Sequence, residues 1–125
     1  MILNLEIRGL DDGVLDQAED ELRTFVEAAG ATFAPLSGKP PVQSDPRLLD
    51  ALSIACKELD LAYRLMPSGA GHDAMNMAAL CPMAMIFVPS ANGVSHSPDE
   101  YTPPQDCING AHLLLAGLIK IDQIL

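Results

Sequence analysis

Alternating apolar and polar residues open the chain, and an amphipathic helical pattern follows them. From Ile2 to Arg8 the alternation predicts a half-buried strand that turns Glu6 and Arg8 outward. A helix that ends at Gly30 is predicted next, because apolar residues recur on one of its faces: Val14, Leu15, Ala18, Leu22, Phe25, Val26 and Ala29. The aspartate pair at residues 11 and 12 offers its N-cap. The opening segment therefore predicts a strand followed by a helix.

Prolines and glycines divide the rest of the chain into short elements. After a short strand from Ala31 to Leu36, residues 37–42 are typical of a linker, so a domain boundary is expected near residue 40. A helix capped by Ser44 or Asp45 follows, and its predicted buried stripe comprises Leu48, Leu49, Leu52, Ala55, Cys56 and Leu59. Tyr63 to Met66 is a weaker strand prediction.

The last third of the chain predicts a helix, a strand and a helix. The short helix runs from Ala74 to Leu80, and the buried strand from Ala84 to Val88 ends at a proline. Thr102 to Gln105 has the pattern of a capping box, so the final helix is expected to begin there. Residues 108–125 are apolar on almost every side, which predicts burial against a sheet.

Composition narrows the classes of function. The formal net charge of −10 repels nucleic-acid phosphates, so DNA and RNA are poor partners. No apolar run is long enough for a membrane span, and the N-terminus lacks the basic region of a signal peptide. The expectation is a soluble, cytoplasmic protein.

Two glycine-containing loops carry the candidate chemistry, and a predicted strand separates them. They are Ser68-Gly69-Ala70-Gly71-His72-Asp73-Ala74 and Gly93-Val94-Ser95-His96-Ser97-Pro98-Asp99-Glu100. Loops that flank a strand place polar groups at a sheet edge, where α/β enzymes build their sites. His96 suits metal ligation with Glu100 as a supporting carboxylate, or else it is a loop histidine bonded to backbone. Asp73 can cap the helix that follows it.

Two further residues have competing interpretations. The planar guanidinium of Arg8 matches a carboxylate through two hydrogen bonds, although an exposed charge at the end of a strand is the simpler reading. His112 lies among apolar residues of the last helix, so it is interpreted as a core or surface histidine.

These loops and the Leu5-Glu6-Ile7-Arg8 segment resemble the C-terminal part of metal-dependent amidohydrolases. That family includes N-carbamoyl-L-amino-acid hydrolase, allantoate amidohydrolase and beta-ureidopropionase. The resemblance implies an α/β fold: residues 41–125 form the C-terminal portion of a catalytic sheet domain, and residues 1–40 form a strand-helix-strand remnant of a smaller lid or dimerisation domain.

The resemblance also assigns roles to the candidate residues. It implies that His96 ligates a metal, with Glu100 in its outer shell, and that Arg8 grips a substrate carboxylate. Gly69, Gly71 and His72 become substrate contacts. The implied cofactor is a divalent metal, either zinc, manganese, cobalt or nickel, in the complete enzyme. Glu6 stands where the family usually has aspartate.

Two hypotheses follow. The family takes most metal ligands and its general base from an N-terminal half that has no counterpart in these 125 residues. Under the first hypothesis the chain is a fragment or subunit of an amidohydrolase for N-carbamoyl amino acids or ureido acids, inactive alone and completed by an N-terminal enzyme portion. Under the alternative it is a free-standing, non-catalytic binding remnant. In both cases exposed edges predict a homo-oligomer.

Overall fold

In the computed structural model, which describes residues 1–36 and 38–124, the regular elements are helical. They are α1 (Asp12–Ala28), α2 (Pro46–Glu58), α3 (Asp73–Met77) and α4 (Pro104–Ile121), with a 3₁₀ turn at Ala91–Gly93. The chain divides into two compact units. The first contains residues 1–43 and 67–71, and the second contains residues 44–66 and those from 72 onward. The assignment of domains to residues 1–40 and 41–125 stays a prediction.

Helix α1 begins and ends as the sequence predicts. Asp11 is the N-cap, and its side chain accepts a hydrogen bond from the backbone N–H of Val14 at 3.0 Å. At the other end Gly30 has a φ of 75°, which glycine adopts without a steric penalty. The N–H groups of Gly30 and Ala31 then bond to the carbonyls of Glu27 and Val26, which completes a Schellman motif.

The starts of the two longer helices of the second unit are also close to prediction. Asp45 caps α2 by accepting from the N–H of Arg47 at 2.8 Å, and Pro46 occupies the first turn. Helix α4 begins at Pro104, as expected, but the predicted capping box is wrong. Pro103 is the N-cap residue, and a proline has no side-chain acceptor to close the box.

The buried core lies in the second unit, where α2 packs against α4. Four α2 residues and one later residue are buried: Leu48, Ala51, Ala55, Cys56 and Met83. Gly117 of α4 allows the close approach, because a Cβ atom there would lie 2.5 Å from Cδ2 of Leu52. Gly110, seven positions earlier on the same helix, meets Val88 in the same way, also at 2.5 Å.

Met83 fixes the start of α2 to the chain that precedes the second loop. Its carbonyl accepts a hydrogen bond from the N–H of Asp45 at 2.8 Å. At the far end of the helix pair, Lys120 donates to Glu58 at 2.8 Å. Polar contacts therefore hold both ends of α2, one to Met83 and the other to α4.

The predicted sheet is not confirmed. Within residues 1–36 and 38–124 no strand is formed, although strands were expected at Ile2–Arg8, Ala31–Leu36, Tyr63–Met66 and Ala84–Val88. A strand exists only where a neighbouring segment supplies the partners of its N–H and C=O groups. Hydrophobic patterning predicts which face of a strand is buried, but it does not supply the neighbour. Gly38 to Val42 is irregular, as expected of a linker, and Ser37 lies outside the described residues.

Burial of the last helix was also predicted wrongly. Leu114, Leu115, Leu118 and Ile119 each keep more than half of their surface exposed, and Gly117 is the residue of α4 that is buried. Helix α1 has no buried residue, and its Phe25 is 74% exposed. These faces expose apolar area that folded proteins usually cover. Leu125, at the end of the predicted helix, lies outside the described residues. No helix within the described ranges is long and apolar enough to cross a membrane.

The close contact at Gly117 generates a testable prediction. Gly117→Val should lower the free energy of unfolding by about 1–3 kcal/mol, because the added side chain overpacks the site occupied by Leu52. The matched control is Ala111→Val on the exposed face of the same helix, which should lose only about 0.5 kcal/mol of helix propensity. Urea unfolding followed by circular dichroism measures both. Equal losses would contradict the proposed role of the glycine.

Candidate functional site

Arg8 is held by a two-point contact with Glu6 in the first unit. Its Nε donates to one carboxylate oxygen and its Nη2 to the other, both at 3.0 Å. The third contact runs from Nη1 to the carbonyl oxygen of Gly69 at 2.6 Å. The guanidinium therefore brings together two segments that are 61 positions apart, and both belong to the same compact unit.

The Arg8–Glu6 contact is ionic and exposed. The side chains of Arg8 and Glu6 keep 57% and 71% of their surfaces accessible. The hydrogen bonds from Arg8, together with its charge, hold the pKa of the Glu6 carboxyl below its usual range. The same contacts raise the pKa of Arg8. The pair is therefore fully ionised at neutral pH.

The sequence analysis did not predict the contact of Glu6 with Arg8. Residues 6 and 8 share a face of an alternating segment, and their charges are opposite, so the signal was present. Glu6 was considered only as a replacement for the aspartate that is usual in the family, so an ion pair with Arg8 was not predicted.

The predicted substrate loop begins with a small hydrogen-bonded turn. Ser68 Oγ donates to the carbonyl of Ala70 at 2.9 Å and accepts from the N–H of the same residue at 3.3 Å. Gly69 has open space where a side chain would project, and its carbonyl accepts the hydrogen bond from Arg8. Gly71 is exposed and is the last residue of this part of the first unit.

The second loop, Gly93–Glu100, lies within residues 90–101, a segment that a backbone hydrogen bond closes near its two ends. The N–H of Ala91 donates to the carbonyl of Tyr101 at 2.8 Å, which joins the two ends. Inside this closure, the hydroxyl of Ser90 donates to the carbonyl of Val94 at 2.5 Å. The N–H of Glu100 donates to the carbonyl of Ser97 at 3.0 Å. The loop is thus a compact surface element whose conformation is fixed locally.

His96 and Glu100 are brought together, but through the backbone. The carboxylate oxygen Oε2 of Glu100 accepts from the main-chain N–H of His96 at 2.8 Å. His96 is exposed and has a φ of 56°, in the left-handed region that is unfavourable for most side chains. Such an outlier needs surrounding bonds to hold it and is often found at a functional position. Glu100 thus contacts the backbone of His96, and its outer-shell role toward a metal stays a prediction.

His72 lies in the second unit, packed on an aromatic ring. Its imidazole meets Phe87 edge to face, with ring centroids 5.5 Å apart. His72 is also the N-cap residue of α3, which runs from Asp73 to Met77 rather than from Ala74 to Leu80. The predicted capping role of Asp73 is wrong, because Asp73 lies inside the first turn. In the first turn its negative charge still interacts favourably with the helix dipole.

The described residues do not assemble a metal centre by themselves. Residues 1–36 and 38–124 contain no group of three or more His, Cys, Asp or Glu side chains that could hold an ion. Catalytic metal sites in proteins commonly have three protein ligands. His96 thus offers one exposed imidazole on a fixed loop, and His112 is an exposed residue of α4.

Comparison with known proteins gives a consistent family. The family model described as peptidase family M20/M25/M40 matches residues 11–120. The chain is 32% identical to ureidoglycolate hydrolase of Arabidopsis thaliana over 95% of its length, which is 26% of that relative. It is 34% identical to allantoate amidohydrolase of Escherichia coli over 94% of its length, which is 30% of that enzyme.

A solved structure supports the same relationship. It is an amidase of the hydantoinase/carbamoylase family from Burkholderia multivorans, which superposes with a TM-score of 0.81 at 34% identity. The alignment covers 90% of this chain and 29% of the amidase. The chain therefore spans less than a third of the length of each of these relatives.

The Glu100 contact predicts the behaviour of its loop. Glu100→Ala should speed amide exchange at His96 about two- to tenfold, because it removes a hydrogen bond that holds the strained backbone. Asp99→Ala is the matched control, since the Asp99 carboxylate makes no hydrogen bond within the described residues. NMR-detected amide exchange measures both variants. The same rate at His96 in Glu100→Ala and the native chain would show that the carboxylate does not hold the loop.

Proposed function

The chain belongs to peptidase family M20/M25/M40, and from this membership we propose that it is part of an amidohydrolase. The proposed reaction is hydrolysis of a linear amide C–N bond in an N-carbamoyl amino acid or in a ureido acid such as allantoate. The observation that carries the proposal is the alignment of almost the whole chain with relatives named for such reactions. These names favour an enzyme over a non-catalytic binding remnant.

Arg8 is proposed to bind the substrate carboxylate. The two-point contact with Glu6 supports this, because a carboxylate already fits the guanidinium in that geometry. The hydrogen bond from Nη1 to the carbonyl of Gly69 orients the guanidinium of Arg8. Gly69 and Gly71 of the first unit are proposed as substrate contacts, with their backbone groups available for close approach. His72 of the second unit is proposed as a further substrate contact.

His96 is proposed to supply one ligand to a divalent metal, whether zinc, manganese, cobalt or nickel. An exposed imidazole on a locally fixed loop fits one position of such a site, and the other ligands would come from outside the described residues. A bound divalent metal polarises an amide carbonyl and lowers the pKa of bound water. Glu100 contributes by holding the backbone at His96.

The segments predicted as strands are proposed to pair within a larger polypeptide assembly. Leu3 and Leu5 alternate with polar residues yet are 84% and 66% exposed, which supports an edge that needs a neighbour. On this proposal the catalytic α/β sheet and the lid segment form only when the missing strands are present. The cytoplasmic location also stays a prediction.

The enzyme proposal is tested by completing the chain. We expect no substantial hydrolysis of N-carbamoyl amino acids or allantoate by the 125-residue chain alone. A chimera in which this chain replaces the matching part of the Burkholderia multivorans amidase should hydrolyse a substrate of that enzyme. An inactive but folded chimera, or chelator-sensitive turnover by the isolated chain, would contradict the proposal.

The same chimera tests the metal ligand. His96→Ala should lower the bound metal measured by elemental analysis, because one ligand is lost. His112→Ala, which removes another exposed imidazole of the second unit, should leave the metal content unchanged. Equal metal loss in both variants would remove the basis for choosing His96.

Arg8 has its own test in the chimera. Arg8→Ala should raise KM about tenfold for substrates that carry a carboxylate, because a charge-assisted two-point contact is lost. Arg23→Ala is the matched control, since Arg23 pairs with Glu19 on α1 of the same unit. Amide analogues without the carboxylate should be affected much less. An equal effect on both classes of substrate would make Arg8 structural.

Self-association is proposed as the remaining property of the isolated chain. The segment Ile2–Arg8 and helix α1 expose large apolar side chains, with Ile2 at 91% and Phe25 at 74%. A second copy would cover them with the least rearrangement. Light scattering at micromolar concentration should therefore show a dimer or larger species, and Phe25→Glu should weaken it. A compact monomer of the native chain would contradict the proposal.

A further inference from the structure

We propose that Glu6 is an internal competitor for the Arg8 guanidinium, so that a carboxylate ligand binds Arg8 by displacing the Glu6 side chain. This inference rests on the proposed role of Arg8 in carboxylate binding. It adds a residue that tunes the affinity of that site.

The first argument is that Glu6 already occupies the edge of the Arg8 guanidinium that would bind a carboxylate. The Nε–H and one Nη2–H form the edge of the guanidinium that faces a carboxylate, and both donate to Glu6 at 3.0 Å. An incoming carboxylate would need the same two donors for the same geometry. Glu6 and such a ligand therefore cannot occupy that edge together.

The second argument is that Glu6 can leave at little cost. Its side chain is 71% exposed, and its carboxylate bonds to no described residue besides Arg8. Water would hydrate the carboxylate once it moved away. The other pair of this type, Asp45 with Arg47, differs in this respect, because Asp45 also caps α2 and is tied to the helix backbone.

The third argument is that Arg8 keeps its position when Glu6 leaves. Nη1 remains bonded to the carbonyl of Gly69 at 2.6 Å, and this contact does not involve the edge that Glu6 occupies. The guanidinium is thus anchored on one side and exchangeable on the other. A displaced Glu6 leaves an oriented two-point donor behind.

The experiment is an NMR titration of the 125-residue chain with N-carbamoylglycine, monitored at the Nε–H of Arg8 and assigned with Arg8→Lys. Glu6→Gln removes the competing charge and should tighten binding at Arg8 about two- to fivefold, the range expected for an exposed ion pair. The neutral amide of N-carbamoylglycine is the ligand control and should cause no saturable change at this signal.

Glu19→Gln is the matched protein control. It removes the same charge from the same unit and frees a different arginine, Arg23. It should leave the affinity at the Arg8 signal within about 1.5-fold of the native value, because Glu19 bonds to Arg23 and does not occupy the Arg8 guanidinium. An equal gain from Glu19→Gln and Glu6→Gln would show a general charge effect and overturn the inference.

The remaining outcomes separate this inference from the proposed function. If the native chain and Glu6→Gln bind N-carbamoylglycine at Arg8 with the same affinity, Glu6 does not compete, and the carboxylate role of Arg8 stands. If neither binds at Arg8, there is no site for Glu6 to block, and the proposed role of Arg8 fails with it. Circular dichroism of Glu6→Gln confirms folding, which the exposure of Glu6 leads us to expect.

Discussion

The second unit depends on the close approach of α2 and α4, which Gly117 of α4 makes possible, and a second glycine of the same helix admits Val88. Leu52 occupies the space that a side chain at Gly117 would need, and Val88 does the same at Gly110. The positions are seven residues apart, about two helical turns, so they lie on one face of α4. Val88 precedes the loop of His96, and α4 begins just after that loop. The segment before the loop therefore contacts α4, and the segment after it leads into the same helix.

Local hydrogen bonds then determine the geometry at His96. The carbonyl of Tyr101 closes the loop by accepting from the N–H of Ala91, and Glu100 accepts from the N–H of His96. Each bond joins residues of the same loop, so the left-handed backbone at His96 needs no distant partner. The packed helix supplies a fixed base, and the loop supplies the orientation. This division explains how an exposed histidine can be positioned with few buried contacts.

The first unit uses charge rather than burial to position its candidate side chain, Arg8. Helix α1 has no buried residue, and Arg8 is fixed by Glu6 and by the carbonyl of Gly69. Two contacts of different character on one guanidinium allow one to be exchanged while the other persists. If the chain works within a larger amidohydrolase, this arrangement places a pre-oriented cation where a substrate carboxylate is proposed to bind.

The sequence by itself determined the features that depend on neighbouring residues. The caps at Asp11 and Asp45, the end of α1 at Gly30 and the start of α4 at Pro104 were predicted because their hydrogen bonds or dihedral limits lie within a few residues. The spacing of His96 and Glu100 placed both in one loop, but the hydrogen bond from the His96 backbone to Glu100 was not predicted.

Tertiary structure alone decided what depends on distant parts of the chain. The contact of Arg8 with Gly69 and the seating of Leu52 on Gly117 join segments that no periodicity relates. The predicted strands show the same limit, because alternation at Ile2–Arg8 records a preference for pairing, whereas pairing itself needs a neighbour in space. The apolar residues of α4 likewise predict burial, but whether another segment packs on them is determined only by the fold.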